Sequence, residues 1–255
     1  MGKITTESLF SGQVVRFTLN APKANVLDAE MMMALQSELE ETGADVKLIQ
    51  FTGAGDHFSF GASVPEHSKE NAPEMLHHFH GLFKTIMELS VPTMALVSGQ
   101  CLGGGFELAL ACNFLFLDKT ARLGQPEINL GVFAPPASLI LPLKVGQTKA
   151  DELLLTGKTV KPEEVMQSGL GTQLFDDQQS MIKGAHAWVK KNILPKSASS
   201  LRFALKAART GFNQKLSDNL DDLARFYTEE LMESHDANEG IKSFLEKRNP
   251  EWTNS

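Results

Sequence analysis

The sequence predicts an α/β fold that ends in a helical region. Three observations carry this. Short runs of β-branched and aromatic residues alternate with helical periodicity over the first half of the chain, the pattern turns mainly helical after Gly146, and 255 residues with 42% hydrophobic content can bury a large core.

Strand-like runs fall at residues 14–19, 47–52, 93–98 and 114–117, separated by helical patterns at 29–42, 73–89 and 105–111. Asp28 stands where an N-cap belongs, just ahead of the apolar spacing Met32, Leu35 and Leu39. Beyond Gly146, helices are expected at 148–155, 162–168, 178–192, 197–210 and 216–232. Pro195 should end the third of these and Ser197 should cap the fourth, which divides the chain into a core at 1–195 and a helical region at 196–255. Apolar faces such as Leu201, Leu205 and Phe212, or Leu220, Leu223 and Leu231, need cover from the core or from another subunit.

The net charge of −7 argues against a general nucleic-acid or membrane-surface binder, so any site for an anionic ligand must be a local basic cluster. Cys101 and Cys112 both lie in an apolar run, which points to a reducing compartment and a cytoplasmic location without a disulfide framework. Three histidines, His77, His78 and His80, cluster in EMLHHFHGLF, but neither H-E-x-x-H nor a cysteine pair accompanies them, and no metal site is expected. The absence of G-x-S-x-G disfavours a serine hydrolase.

Three stretches could carry chemistry. In GQCLGGGFELALAC (99–112) a single carboxylate, Glu107, follows three glycines inside a run with no other charged residue. The glycines permit a sharp turn, and a helix starting there points free N–H groups at whatever lies ahead of it. Capping of those amides by Glu107 is the alternative reading. In LGQPEINLGVFAPPAS (123–138), which reads as loop, Glu127 supplies a second carboxylate in apolar surroundings, and two such groups can divide the acid and base roles. In FTGAGDHFSFGASVPEH (51–67), the Ala62 amide after Gly61 is a candidate to face the same oxygen as the Gly104 amide, as an oxyanion hole requires.

Taken together, these stretches resemble the crotonase, or enoyl-CoA hydratase, superfamily, as do TLNAPKANVLD at 18–28 and EGIKSFLEKR at 239–248. The resemblance implies a spiral of ββα units with a C-terminal helical trimerisation region, assembled as a homotrimer or as a hexamer of paired trimers. It implies an acyl-CoA thioester as substrate, with coenzyme A part of that substrate and no separate cofactor. By the same likeness, Ala62 and Gly104 supply the oxyanion hole, and Glu107 and Glu127 hold and activate water. Contacts to the CoA ester fall on Lys23, Ala24 and Val26, on Ser63 and Val64, and on Phe244 and Lys247, while Phe133 and the Ala134-Pro135-Pro136 segment shape the acyl pocket. Two departures from the common hydratases, Ser63 and the VFAPPASLILPLKVG stretch, look instead like the hydratases of cyclohexa-1,5-diene-1-carbonyl-CoA in anaerobic benzoyl-CoA degradation. A general short-chain enoyl-CoA hydratase or isomerase is the nearest alternative. A non-catalytic CoA-ester binder is disfavoured by retention of both glutamates, and an RNA-associated homologue by the acidic balance.

Overall fold

The computed structural model describes residues 2–21 and 23–255. Strands β1 (Ile4–Leu9) and β2 (Val14–Leu19) form a hairpin that leads into helix α1 (Ala29–Glu40). Then come β3 (Leu48–Gly53), α2 (Ala72–Leu89), β4 (Thr93–Val97), β5 (Gln100–Leu102), α3 (Gly104–Ala111), β6 (Phe114–Asp118) and β7 (Arg122–Gly124). The second half contains α4 (Pro135–Val145), α5 (Gln147–Thr156), β8 (Thr159–Val160), α6 (Pro162–Gln167), β9 (Gln173–Phe175) and α7 (Gln178–Asn192), and ends with α8 (Ala198–Ala208), α9 (Thr210–Arg225) and α10 (His235–Leu245).

Six strands make one sheet in the order β1-β2-β3-β4-β6-β9, parallel except for the β1–β2 pair. All six residues of β3 are buried, as a strand covered on both faces requires. On one side Phe17, Ile49, Phe51 and Ala95 meet the apolar faces of α1 and α2 and the whole of α3. On the other, Leu48, Met94, Leu96 and Phe116 meet Met181, Ala185 and Val189 of α7. Strands β5, β7 and β8 form a small second sheet, and the runs β1-β2-α1 and β4-β5-α3 are the expected ββα units.

The structure departs from the sequence expectation in particular places. The stretch read as loop at 123–138 is a 3-10 turn at Pro126–Leu130 followed by the start of α4, whose first two positions, Pro135 and Pro136, suit a helix N-terminus. The helix expected at 216–232 starts earlier, at Thr210, and after Arg225 gives way to a π-helical turn at Phe226–Glu230 and a 3-10 turn at Leu231–Glu233. Leu216 and Leu220 of α9 are buried against the core of the same chain, whereas α8 has no fully buried residue and leaves Phe203 71% exposed. Among the described residues, no helix is long and apolar enough to cross a membrane.

Both predicted caps form. Asp28 accepts from the Met31 N–H at 2.9 Å and also pairs with Lys3, and the Ser197 hydroxyl accepts from the Ser200 N–H at 3.4 Å. Asp28→Ala should cost about 1 kcal/mol. In a chain of this size that lowers Tm by about 2–4 °C in a thermal melt, and an unchanged Tm would show that the cap contributes nothing.

Candidate active site

The site is built around the turn between β5 and α3. Gly103 adopts φ +49, which favours glycine, and a Cβ there would stand 2.5 Å from Glu127 Oε1, so a side chain at this position would displace that carboxyl. Opposite it runs the strip 58–63, fixed by hydrogen bonds from Phe58 N to Ser98 O at 2.9 Å, from Ser59 N to Gln100 O at 3.0 Å and from Leu102 N to Ser59 O at 3.0 Å. Gly61, at φ +105, turns this strip so closely that a Cβ would lie 2.9 Å from Leu102 O.

These two turns bring the Ala62 and Gly104 amides side by side: the Ala62 nitrogen lies 3.2 Å from where a Cβ on Gly104 would sit. Gly104 is the first residue of α3 and so has no helical acceptor, while the neighbours of Ala62 pair with Leu27 through the Gly61 carbonyl and the Ser63 N–H. Among the described residues, neither amide donates a hydrogen bond. Two converging free N–H groups at a helix start are suited to an oxygen that gains negative charge.

Asn25, which the sequence reading passed over, ties the preceding loop to this strip. It is buried at φ +46 and donates to the Ala54 and His57 carbonyls at 3.0 and 2.8 Å. Its own carbonyl accepts from the Ser59 hydroxyl at 2.7 Å, and Ser59 Oγ accepts from the Gly61 N–H at 3.0 Å. Short polar side chains at positive φ are tolerated because they can bond locally, which is the signal Asn25 carried.

Glu107 is 3% exposed on a helix whose eight residues are all buried. It caps no amide of its own helix. Its Oε1 accepts instead from the Ala137 N–H at 2.8 Å, the first N–H that α4 has to offer after its two prolines. Burial pushes the Glu107 carboxyl well above the usual carboxylate range, the charge of Glu127 pushes it further, and the Ala137 bond opposes both only in part. Glu127, half-buried on the Pro126–Leu130 turn, is raised by burial to about 7. Assigning the buried Gln125 amide so that its nitrogen faces the carboxylate satisfies both of its polar atoms and lets it donate to Glu127 Oε1 and Oε2 at 3.1 and 3.0 Å. Burial, the Glu127 charge and the Gln125 donor together leave the shared proton on Glu107 and favour the ionised form of Glu127.

Both carboxyls and both amides face one cavity of about 760 Å³, large enough for a small acyl group and part of a carrier. Of the residues singled out from the sequence, Val26, Ala62, Ser63, Val64, Gly104, Glu107, Glu127, Phe133 and Phe244 border it. Ala134 and Pro135 do so as well, from the start of α4. Lys23, Ala24 and Lys247 do not border it. The Ala24 carbonyl instead accepts from the Phe60 N–H at 2.9 Å, and the chain turns at Lys247, φ +55, so that Arg248 reaches the cavity wall. Arg248 is held by Glu239 at 2.5 and 2.8 Å and by Glu246 at 2.6 Å. Tyr227 also lines the cavity, and nothing in its sequence surroundings, RFYTEEL, marked it.

Free amides that could receive a carbonyl oxygen, with two carboxyls of raised proton affinity beside them, suit an enzyme that moves protons on carbons activated by a carbonyl. The chain belongs to the enoyl-CoA hydratase/isomerase family, whose profile matches residues 10–255. It is 44% identical, over 95% of its length and 94% of the relative, to the cyclohexa-1,5-dienecarbonyl-CoA hydratase of Thauera aromatica. Its fold matches an enoyl-CoA hydratase from Mycobacterium avium subsp. paratuberculosis with TM-score 0.86 at 22% identity, covering 100% of both chains. An enoyl-CoA hydratase structure from Bacillus anthracis gives TM-score 0.77 at 26% identity, covering 99% of this chain and 100% of that one.

The raised carboxyls carry a stability signature. The folded state holds the Glu127 proton more tightly than the unfolded chain does, so stability contributed by the neutral form is complete below pH 4.5 and is lost as pH rises through about 7. Glu127→Gln removes this slope. Thermal melts should show a flatter decline of Tm from about pH 5 to neutrality and a Tm a few degrees above wild type at the neutral end; an unchanged slope would place the proton elsewhere.

Proposed function

We propose that the protein adds water to a conjugated cyclic acyl-CoA thioester, cyclohexa-1,5-diene-1-carbonyl-CoA, to give 6-hydroxycyclohex-1-ene-1-carbonyl-CoA. The observation that carries this reading is the meeting of two free amides with one buried and one half-buried carboxyl, both with raised proton affinity, in one cavity. The ring substrate is supported by the 44% identical relative and by an apolar acyl wall that includes Leu76, Phe79 and Phe133. A place in anaerobic benzoyl-CoA degradation, a cytoplasmic location and assembly as a homotrimer or hexamer accompany the proposal. Exposed Phe203, Phe244 and Leu245 offer apolar surface for subunit contacts.

In this scheme the thioester oxygen takes the Ala62 and Gly104 N–H groups, which stabilise the negative charge that forms on it. Glu127, ionised, removes one proton from the water as its oxygen bonds to the ring carbon next to the thioester-bearing one. The electron pair moves through the conjugated system as a dienolate, and Glu107 delivers its proton to the far end. One C–O and one C–H bond form, and the oxygen keeps its second hydrogen. A proton passing from Glu127 back to Glu107 through solvent or bound water restores the starting state. No group beyond the substrate itself is needed.

Assay in ¹⁸O-labelled water against dienoyl- and enoyl-CoA esters should put the label into the product hydroxyl, with cyclohexadienoyl-CoA preferred over crotonyl-CoA. A many-fold preference for crotonyl-CoA would refute the ring substrate. Glu107→Gln and Glu127→Gln should each lower kcat by about 10²-fold or more, with KM changed little, and full activity in either variant would refute the two-carboxyl scheme. Because the base must be ionised, kcat/KM should rise with pH through about 7, the Glu127 value, and fall again at higher pH as Glu107 loses its proton. A profile flat across neutrality would contradict that assignment.

A further inference from the structure

The proposed chemistry accounts for the carboxyls and the amides, and it leaves a buried hydroxyl at the cavity without a hydrogen-bond partner. Tyr227, the chain's single tyrosine, is 1% exposed, and its hydroxyl has no hydrogen-bond partner among the described residues. Four buried side-chain polar atoms share that condition, and of these the Tyr227 hydroxyl alone belongs to a residue lining the cavity of Glu107 and Glu127. An unmade bond at a buried hydroxyl costs about 1–3 kcal/mol, so its retention calls for a partner that arrives with the ligand. The residue sits on the π-helical turn Phe226–Glu230, a local irregularity often associated with functional sites. Its ring packs edge-on against Phe133, with centroids 5.3 Å apart, which fixes where the hydroxyl points.

Hydration creates a demand that this group can meet. The water brings two hydrogens; one goes to Glu127, and the other stays on the oxygen that becomes the product hydroxyl. In an apolar cavity that remaining O–H needs an acceptor. Glu127 is engaged by the hydrogen it removes, and Glu107, holding its proton for carbon, presents a donor on its free oxygen while its Oε1 accepts from Ala137. We propose that the Tyr227 hydroxyl is a third polar contact of the active site, accepting the retained hydrogen of the attacking water and then that of the new C–OH group. This inference rests on the hydratase reading. Burial, and then the charge of Glu127, raise the phenol's hold on its proton, so Tyr227 stays neutral and acts by orienting the oxygen.

Tyr227→Phe removes one oxygen atom and keeps the ring on Phe133. Steady-state assays of wild type and variant on cyclohexadienoyl-CoA and crotonyl-CoA should show kcat lowered about 10- to 100-fold, KM for the unsaturated ester changed little, and the acid limb of the pH profile unmoved. Titration should show weaker binding of 6-hydroxycyclohex-1-ene-1-carbonyl-CoA, unchanged binding of the ester lacking the hydroxyl, and a Tm equal to or above that of wild type. Wild-type values of kcat and of product affinity in the variant would overturn the proposal, as would a loss of affinity equal for the hydroxylated and the unsaturated ester together with a lowered Tm. If wild type hydrates neither ester, the functional reading fails. The two titrations then still decide the role of Tyr227: loss of the preference for the hydroxylated ester supports it, and an intact preference overturns it.

Discussion

The structure turns on keeping one carboxyl, that of Glu107, inside an apolar helix with a single protein donor. An ionised carboxylate there would be prohibitively expensive, and a neutral one is tolerable only if the surroundings also hold a group ready to carry the charge. Glu127 takes that part from a turn next to the cavity, where Gln125 stabilises its ionised form. The helix carrying Glu107 is fixed at its other end as well. Lys144 donates to the Cys112 carbonyl at 2.9 Å, and Arg209 donates to the Ala111 and Cys112 carbonyls at 2.6 and 3.0 Å. Cations at the C-terminal carbonyls complement the helix dipole, and at the N-terminus the Gly104 amide is left free to act on a ligand.

Much of this was legible in the sequence because the informative residues are anomalies. A lone glutamate in an apolar run, a triplet of glycines before a helix, and an N-capping aspartate ahead of regular Met and Leu spacing all violate or satisfy strong local rules. The four central strands were readable for a similar reason: largely buried, they are short, mainly apolar runs bounded by polar turns, with Arg16 and Gln50 bonded to each other inside the sheet. The family resemblance then singled out Ala62, Gly104, Glu107 and Glu127, and the structure brings these four to one cavity.

What escaped the sequence reading has equally physical causes. Strand β1, ITTESL, keeps four of its six residues exposed and is held in the sheet by pairing with β2, so it shows no hydrophobic period. Strands β5, β7, β8 and β9 have two or three residues each, too few to display any period. The start of α4 was obscured because Pro135 and Pro136 mark a turn in most contexts, and Pro142 stands inside the helix. Asn25 bonds to carbonyls 29 and 32 residues away and Tyr227 acts through a cavity that only tertiary packing creates, while Gln125 matters through a burial that its near neighbour Glu127 does not disclose, and no hydrophobic period reports any of these.

The same two prolines show how sequence detail becomes chemistry. A helix normally offers several free N–H groups at its start, and a buried carboxylate facing them would be strongly favoured in its ionised form. Pro135 and Pro136 delete the first two of these donors and leave Ala137 as the one that reaches Glu107. One bond orients the carboxyl without supplying enough donors to ionise it, so the group stays an acid. Had the segment begun with residues bearing N–H groups, the dipole end of α4 would pull the proton off Glu107 and erase the difference between the two glutamates. The stretch that reads as loop in the sequence is therefore an element that helps hold the Glu107 carboxyl in its neutral form, and it does so by withholding hydrogen bonds.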